Sequence, residues 1–133
     1  LIEELYLNVW IRDPKKWVMS GTWKWNPDGT VDVKGDVCII DYPYSKLPVK
    51  FNKVTGDFTC GDNHLTTLEG CPEFVGGYFN CCRNLLSSVD FAPKKVNDNF
   101  YCIGNLLLFT EKDVRKVCKV AGTVITSEDY FKS

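Results

Sequence analysis

Seven cysteines and one histidine are the residues of this chain that could hold a metal ion or serve as nucleophile and base. Their spacing argues against both roles. Zinc sites are built from ligand pairs at short spacing, such as C-x-x-C, and no such pair occurs. Cys81 and Cys82 are adjacent, so on a strand they point to opposite faces and cannot easily chelate one ion together. That alternation also predicts Cys82 to be an accessible outer thiol. His64 sits between Asn63 and Leu65 in turn-forming sequence, where a solvated side chain is the simple reading, and a Cys-His or Ser-His pair would have to be assembled around it. There is no P-loop, no G-x-G-x-x-G and no H-E-x-x-H, and no carboxylate pair is marked out by its setting. We expect no metal, no cofactor and no catalysis.

The cysteines lead instead to the architecture. Val54-Thr-Gly-Asp-Phe58-Thr-Cys60 recurs as Val75-Gly-Gly-Tyr-Phe79-Asn-Cys81 and as Val96-Asn-Asp-Asn-Phe100-Tyr-Cys102, with a degenerate earlier copy from Val33 to Ile39. The period is 21 residues, and further columns keep it: Asn63, Asn84 and Asn105, Leu65, Leu86 and Leu107, then Leu47, Leu68 and Val89. Phe58 and Cys60 alternate with Asp57, Thr59 and Gly61, the pattern of a short half-buried strand, and Gly61-Asp-Asn63 is turn material before a return segment carrying Leu65 and Leu68. One such unit cannot bury its apolar side alone. Stacked, the units share a core, with strands about 4.8 Å apart in a parallel sheet on one face, so four coils make a slab of roughly 20 Å. The recurrent asparagine at the corner has donors and an acceptor for the exposed backbone of the turn and of the next coil.

Phe58-x-Cys60-x-x-Asn63-x-Leu65-x-x-Leu68, with Gly70 and Pro72 before the next unit, resembles a leucine-rich repeat. More narrowly, Asn26-Pro-Asp-Gly-Thr-Val-Asp-Val33 and Leu65-Thr-Thr-Leu-Glu-Gly70 followed by Val75-Gly-Gly resemble small leucine-rich-repeat-like proteins of tailed bacteriophages, over roughly residues 23–118. The resemblance implies a binding surface rather than an enzyme, in a protein made in the cytoplasm of the infected bacterial host. It further implies a host enzyme or antiviral defence factor as the partner, bound and inhibited. The first unit departs from the pattern, with Tyr42 and Tyr44 where asparagine and leucine stand elsewhere.

A stack of coils must protect its ends. All four tryptophans lie in the first 25 residues. There Leu5, Leu7, Val9 and Ile11 alternate with Tyr6, Asn8 and Trp10 as in a strand, and Asn26-Pro-Asp-Gly29 reads as the turn of a β-hairpin. The tryptophans are expected to pack over the first coil, a carbohydrate-stacking or ligand-stacking role being the alternative. At the other end Thr110 is a good N-cap, with Glu111 and Asp113 in the first turn and Arg115, Lys116 and Lys119 toward the last, which predicts a helix whose Val114, Val117 and Cys118 face the final coil. Residues from Thr123 on read either as a final strand or as a tail. The expected fold is thus an α+β repeat in one domain spanning 1–133. It divides into an N-terminal aromatic cap over 1–32, repeats over 33–108, and a C-terminal helix and tail over 109–133.

Sixteen basic and seventeen acidic residues leave a net charge of -1, which gives no electrostatic case for nucleic acid or an anionic membrane. No apolar run approaches the ~20 residues of a membrane span, and the first residues lack the features of a signal peptide, so the expectation is a soluble protein. What remains is a surface. With Phe58 and Cys60 inside, the outer face presents Ile40, Thr59, Tyr78, Asn80, Cys82, Asn99, Tyr101 and Ile103, extended by Arg83. Tyrosine, arginine and aliphatic area together are what protein interfaces use as anchors. A protein-binding face is therefore expected. The alternatives are a homodimer or virion attachment through the same face, or its packing against the terminal segment.

Overall fold

In the three clear repeats an inward valine and an inward phenylalanine flank a three-residue corner, Thr55-Gly56-Asp57 in the first of them, and in the degenerate copy Val33 and Val37 do so. The chain can then run straight only for a few residues at a time, and each coil contributes two very short strands instead of one. The computed structural model, which describes residues 2–131, shows a β-solenoid of about five turns built this way. The back sheet runs β1 (Thr22–Trp25), β2 (Val31–Lys34), β4 (Phe51–Val54), β6 (Phe74–Val75), β8 (Lys95–Val96), β10 (Lys119–Val120). The front sheet runs β3 (Val37–Cys38), β5 (Phe58–Thr59), β7 (Phe79–Asn80), β9 (Phe100–Tyr101), β11 (Val124–Ile125). All pairings are parallel except β1 with β2, the hairpin read from Asn26-Pro-Asp-Gly29. The single sheet expected from Phe58 and Cys60 is therefore corrected to two, because the valine column forms its own ladder.

Register stacks like on like. Phe58 pairs with Phe79 and Phe79 with Phe100, and Val54, Val75 and Val96 do the same on the back sheet. The three phenylalanine rings form an inner column with centroids 5.7 and 4.9 Å apart, and none is exposed. Burying a side chain of that size contributes about 1.5–3 kcal/mol. Cys60, Cys81 and Cys102 are buried in a second column. Asn63, Asn84 and Asn105 bridge coils: the Asn84 amide donates to the carbonyls of Cys60, one coil back, and of Cys81 and Cys82, at 2.9–3.3 Å, while its oxygen accepts the N–H of Leu65 at 3.0 Å.

The stack extends one turn further than the four coils expected. After α2 (Glu111–Val117) the chain returns as β10 and β11, with Val120 paired to Val96 and Val124 to Phe100, so the last coil is offset by 24 residues rather than 21. The helix takes up the extra length and hides the continuation from a search at one period. A short helix, α3 (Ser127–Phe131), follows. The parallel strands thus run from Val31 to Ile125.

At α2, Thr110 forms a capping box with Asp113, and Val114 and Cys118 are buried. The Arg115 guanidinium donates to the carbonyls of Val120 and Gly122 at 2.9 and 3.2 Å, occupying part of the last coil's edge. At the other end the strand expected over Leu5–Ile11 is instead a helix, α1 (Ile2–Arg12). Alternation and helical spacing both fit that apolar stretch. The helical choice puts Leu7, Trp10 and Ile11 together against the core, at the cost of leaving Leu5 and Val9 exposed. Of the tryptophans, Trp17 is fully buried against Phe51, Trp10 packs edge-on to Tyr42, and Trp23 and Trp25 stay partly exposed.

Candidate functional site

Three outward columns make the outer face of the front sheet. The first is Asp36, Asp57, Tyr78 and Asn99; register gives the second as Cys38, Thr59, Asn80, Tyr101 and Ile125; the third is Ile40, Gly61, Cys82 and Ile103. Much of the first column is engaged in holding coils together. Asp57 N–H donates to the Asp36 carboxylate at 2.8 Å, Tyr78 N–H to that of Asp57 at 2.9 Å, and Thr123 N–H to the Asn99 side-chain oxygen at 2.9 Å. Asn80 accepts the N–H of Cys82 at 2.9 Å, and the Asn99 amide donates to the Tyr101 hydroxyl at 3.1 Å. Both asparagines are therefore committed to internal bonds.

Tyr78 and Tyr101 are brought together across neighbouring columns, rings 5.7 Å apart and nearly perpendicular. Both are half-buried, as are Thr59 and Ile103, whereas Ile40 is 54% exposed. Arg83 lies at the rim, where its guanidinium pairs with Asp62 of the coil before. Its hydrogen bonds are the main reason the Asp62 carboxyl titrates below its ordinary range. Asp41, Asp62, Arg83 and Gly104 all adopt positive φ, from 52° to 77°, so one left-handed corner repeats in successive coils. Only Gly104 adopts it without a side-chain clash.

Cys82 corrects the sequence reading. Strand alternation puts it outside, yet it is only 4% exposed, flanked in its column by Gly61 and Ile103 and covered within the stack. Burial raises its thiol above the ordinary range, partly relieved by the backbone of Ile103 and by Arg83, so it is not a reactive outer thiol. His64 is exposed in its turn. Among the described residues no group of three or more His, Cys, Asp or Glu side chains is placed to hold a metal ion, and no helix is long and apolar enough to cross a membrane.

Sequence reasoning passed over two surfaces. The back sheet carries an outward column of Asp32, Lys53, Phe74, Lys95 and Lys119, with the Lys53 ammonium 5.5 Å from the Phe74 ring centre. Its signal was the residue before each repeating valine. A groove lined by Trp25, Lys46 and Glu69 lies where the hairpin meets the first return segment, and no single repeat column marks it. No protein-family model matches the chain, and no curated protein or solved structure matches it.

Proposed function

We propose that this chain is a non-enzymatic protein-binding module whose partner docks on the outer face of the front sheet. The observation that supports the reading is the Tyr78–Tyr101 pair, an aromatic cluster whose neighbours along its two columns are Asp57, Asn99, Asn80 and Ile125. With Ile103 beside it, Ile40 exposed and Arg83 at the rim, the face has the aromatic, aliphatic and arginine anchors that carry binding energy at interfaces. The sequence resemblance to leucine-rich repeats, carried by the corner asparagine with Leu65 and Leu68, and that to phage proteins extend the proposal to a host enzyme or defence factor, inhibited in the cytoplasm of an infected bacterium. On this reading α1 with the hairpin, and α2, close the two ends of the stack as caps.

The test is capture from host lysate by the full chain, with mass-spectrometric identification, repeated with Tyr78→Ala and Tyr101→Glu. The reading expects a specific protein to be retained by the parent and lost by both variants, each still folded and less stable by about 0.5–2 kcal/mol for the lost ring contact. Equal retention by both variants rules the face out. Light scattering separates the alternative, because a constitutive homodimer through this face would bury Tyr78 and Tyr101 and leave nothing for another protein.

A further inference from the structure

A second site stands apart from the sheet face. Between the end of α1, the hairpin and the first return segment lies a groove of about 450 Å³, within the range of small-molecule sites. Ile11, Trp25, Lys46, Pro48, Lys50 and Glu69 are among its lining residues. Trp25 is 44% exposed, a large apolar ring left partly in water. It is held in place from behind: its ring stands perpendicular to the buried Trp17 ring at 6.4 Å, and the Trp17 indole N–H donates to the Trp10 carbonyl at 2.7 Å. A platform fixed in this way does not have to be ordered when a ligand arrives, which removes part of the cost of binding.

Lys46 and Glu69 sit together in the groove wall, Nζ to Oε2 3.4 Å, both substantially exposed. They offer a strong donor and a strong acceptor side by side. A flat aromatic anion would use the ring and the ammonium but would meet repulsion from the Glu69 carboxylate. A sugar ring uses all three groups, since its C–H face stacks on an indole while its hydroxyls donate to a carboxylate and accept from an ammonium. We propose that this groove binds a saccharide, with Trp25 as the stacking platform and Lys46 and Glu69 as the hydroxyl-binding pair.

The full chain is screened on an array of neutral and acidic oligosaccharides, and the strongest ligand is titrated in solution while the indole N–H resonances are followed by NMR, with benzoate as the aromatic-anion control. The site predicts a shift of the Trp25 resonance, and a loss of affinity of about tenfold or more in Trp25→Ala and in Glu69→Gln. Trp23→Ala, which removes the other exposed ring of β1, should bind as the parent does. Glu69→Gln keeps the test valid if Trp25→Ala fails to fold. Retention of no oligosaccharide overturns the proposal, as does binding that survives Glu69→Gln or is matched by benzoate.

Discussion

The carboxylate of Asp57 accepts the backbone N–H of Tyr78, one coil later, at 2.9 Å, and lies where a side chain on Gly77 would be. The same arrangement joins Asp36 to Gly56 and Asn99 to Gly122, while after Tyr78, which offers no carboxylate or amide, the equivalent position is Asp98. Glycine thus appears where the coil before sends a short acceptor across. Gly77→Ala should destabilise the fold by about 1–3 kcal/mol, as overpacking does, and the penalty should shrink in an Asp57→Ala background. Urea unfolding of the double-mutant cycle measures this; additive penalties would contradict the contact.

Tyr42 stands in the column that asparagine fills in later coils. It is buried between Trp10 and Tyr44, and its hydroxyl has no hydrogen-bond partner among the described residues. An unmet buried hydroxyl costs about 1–3 kcal/mol, so Tyr42→Phe should raise the melting temperature. A fall in melting temperature would show that the hydroxyl is bonded in solution.

Asn84 presents the opposite case, since its amide and oxygen serve four backbone groups from two coils. Replacing it by alanine leaves the Leu65 N–H without its acceptor and takes one donor from each of the carbonyls of Cys60, Cys81 and Cys82, which keep Asn63, Asn105 and the Asp62 N–H, so roughly 1–3 kcal/mol of stability should be lost. Asn97→Ala, at an exposed corner, is the matched control.

The thiols make alkaline pH destabilising. Burial pushes Cys118 up to about 11 and Cys102 to about 12, and it raises Cys60, Cys71 and Cys81 well above the ordinary thiol range. In the unfolded chain these groups ionise near ~8.5, so above that pH the unfolded state holds fewer protons than the folded one. Their contribution is complete below that point and is lost as pH rises toward the folded values. Each such thiol removes about 1.4 kcal/mol per pH unit over the interval. Unfolding in reducing buffer at about pH 7.5 and 9.5 should show a steep loss. A flat profile would place the cysteines outside the core.

The period, the inward phenylalanine and cysteine columns, the corner asparagine, the hairpin turn and the helix from Glu111 could all be read from residue types, because each is set by local chemistry repeated at one interval. Three features could not. Residues 119–125 belong to a fifth turn that α2 shifts by three positions. The stretch Leu5–Ile11 fits two periods, and only the surface available to Leu7, Trp10 and Ile11 decides between them. The burial of Cys82 depends on coils at both sides of it, whereas strand alternation describes one coil alone. On the outer face, composition found Tyr78 and Tyr101 but could not show that Asn80 and Asn99 are occupied within the sheet.

The most direct test is the contact between rings in successive coils. Phe58, Phe79 and Phe100 should give ring-to-ring nuclear Overhauser effects in the order 58 to 79 and 79 to 100, from centroids 5.7 and 4.9 Å apart. If those cross-peaks are missing while the protein is folded, the coils do not stack in this register, and the outer face assigned to Tyr78 and Tyr101 does not exist.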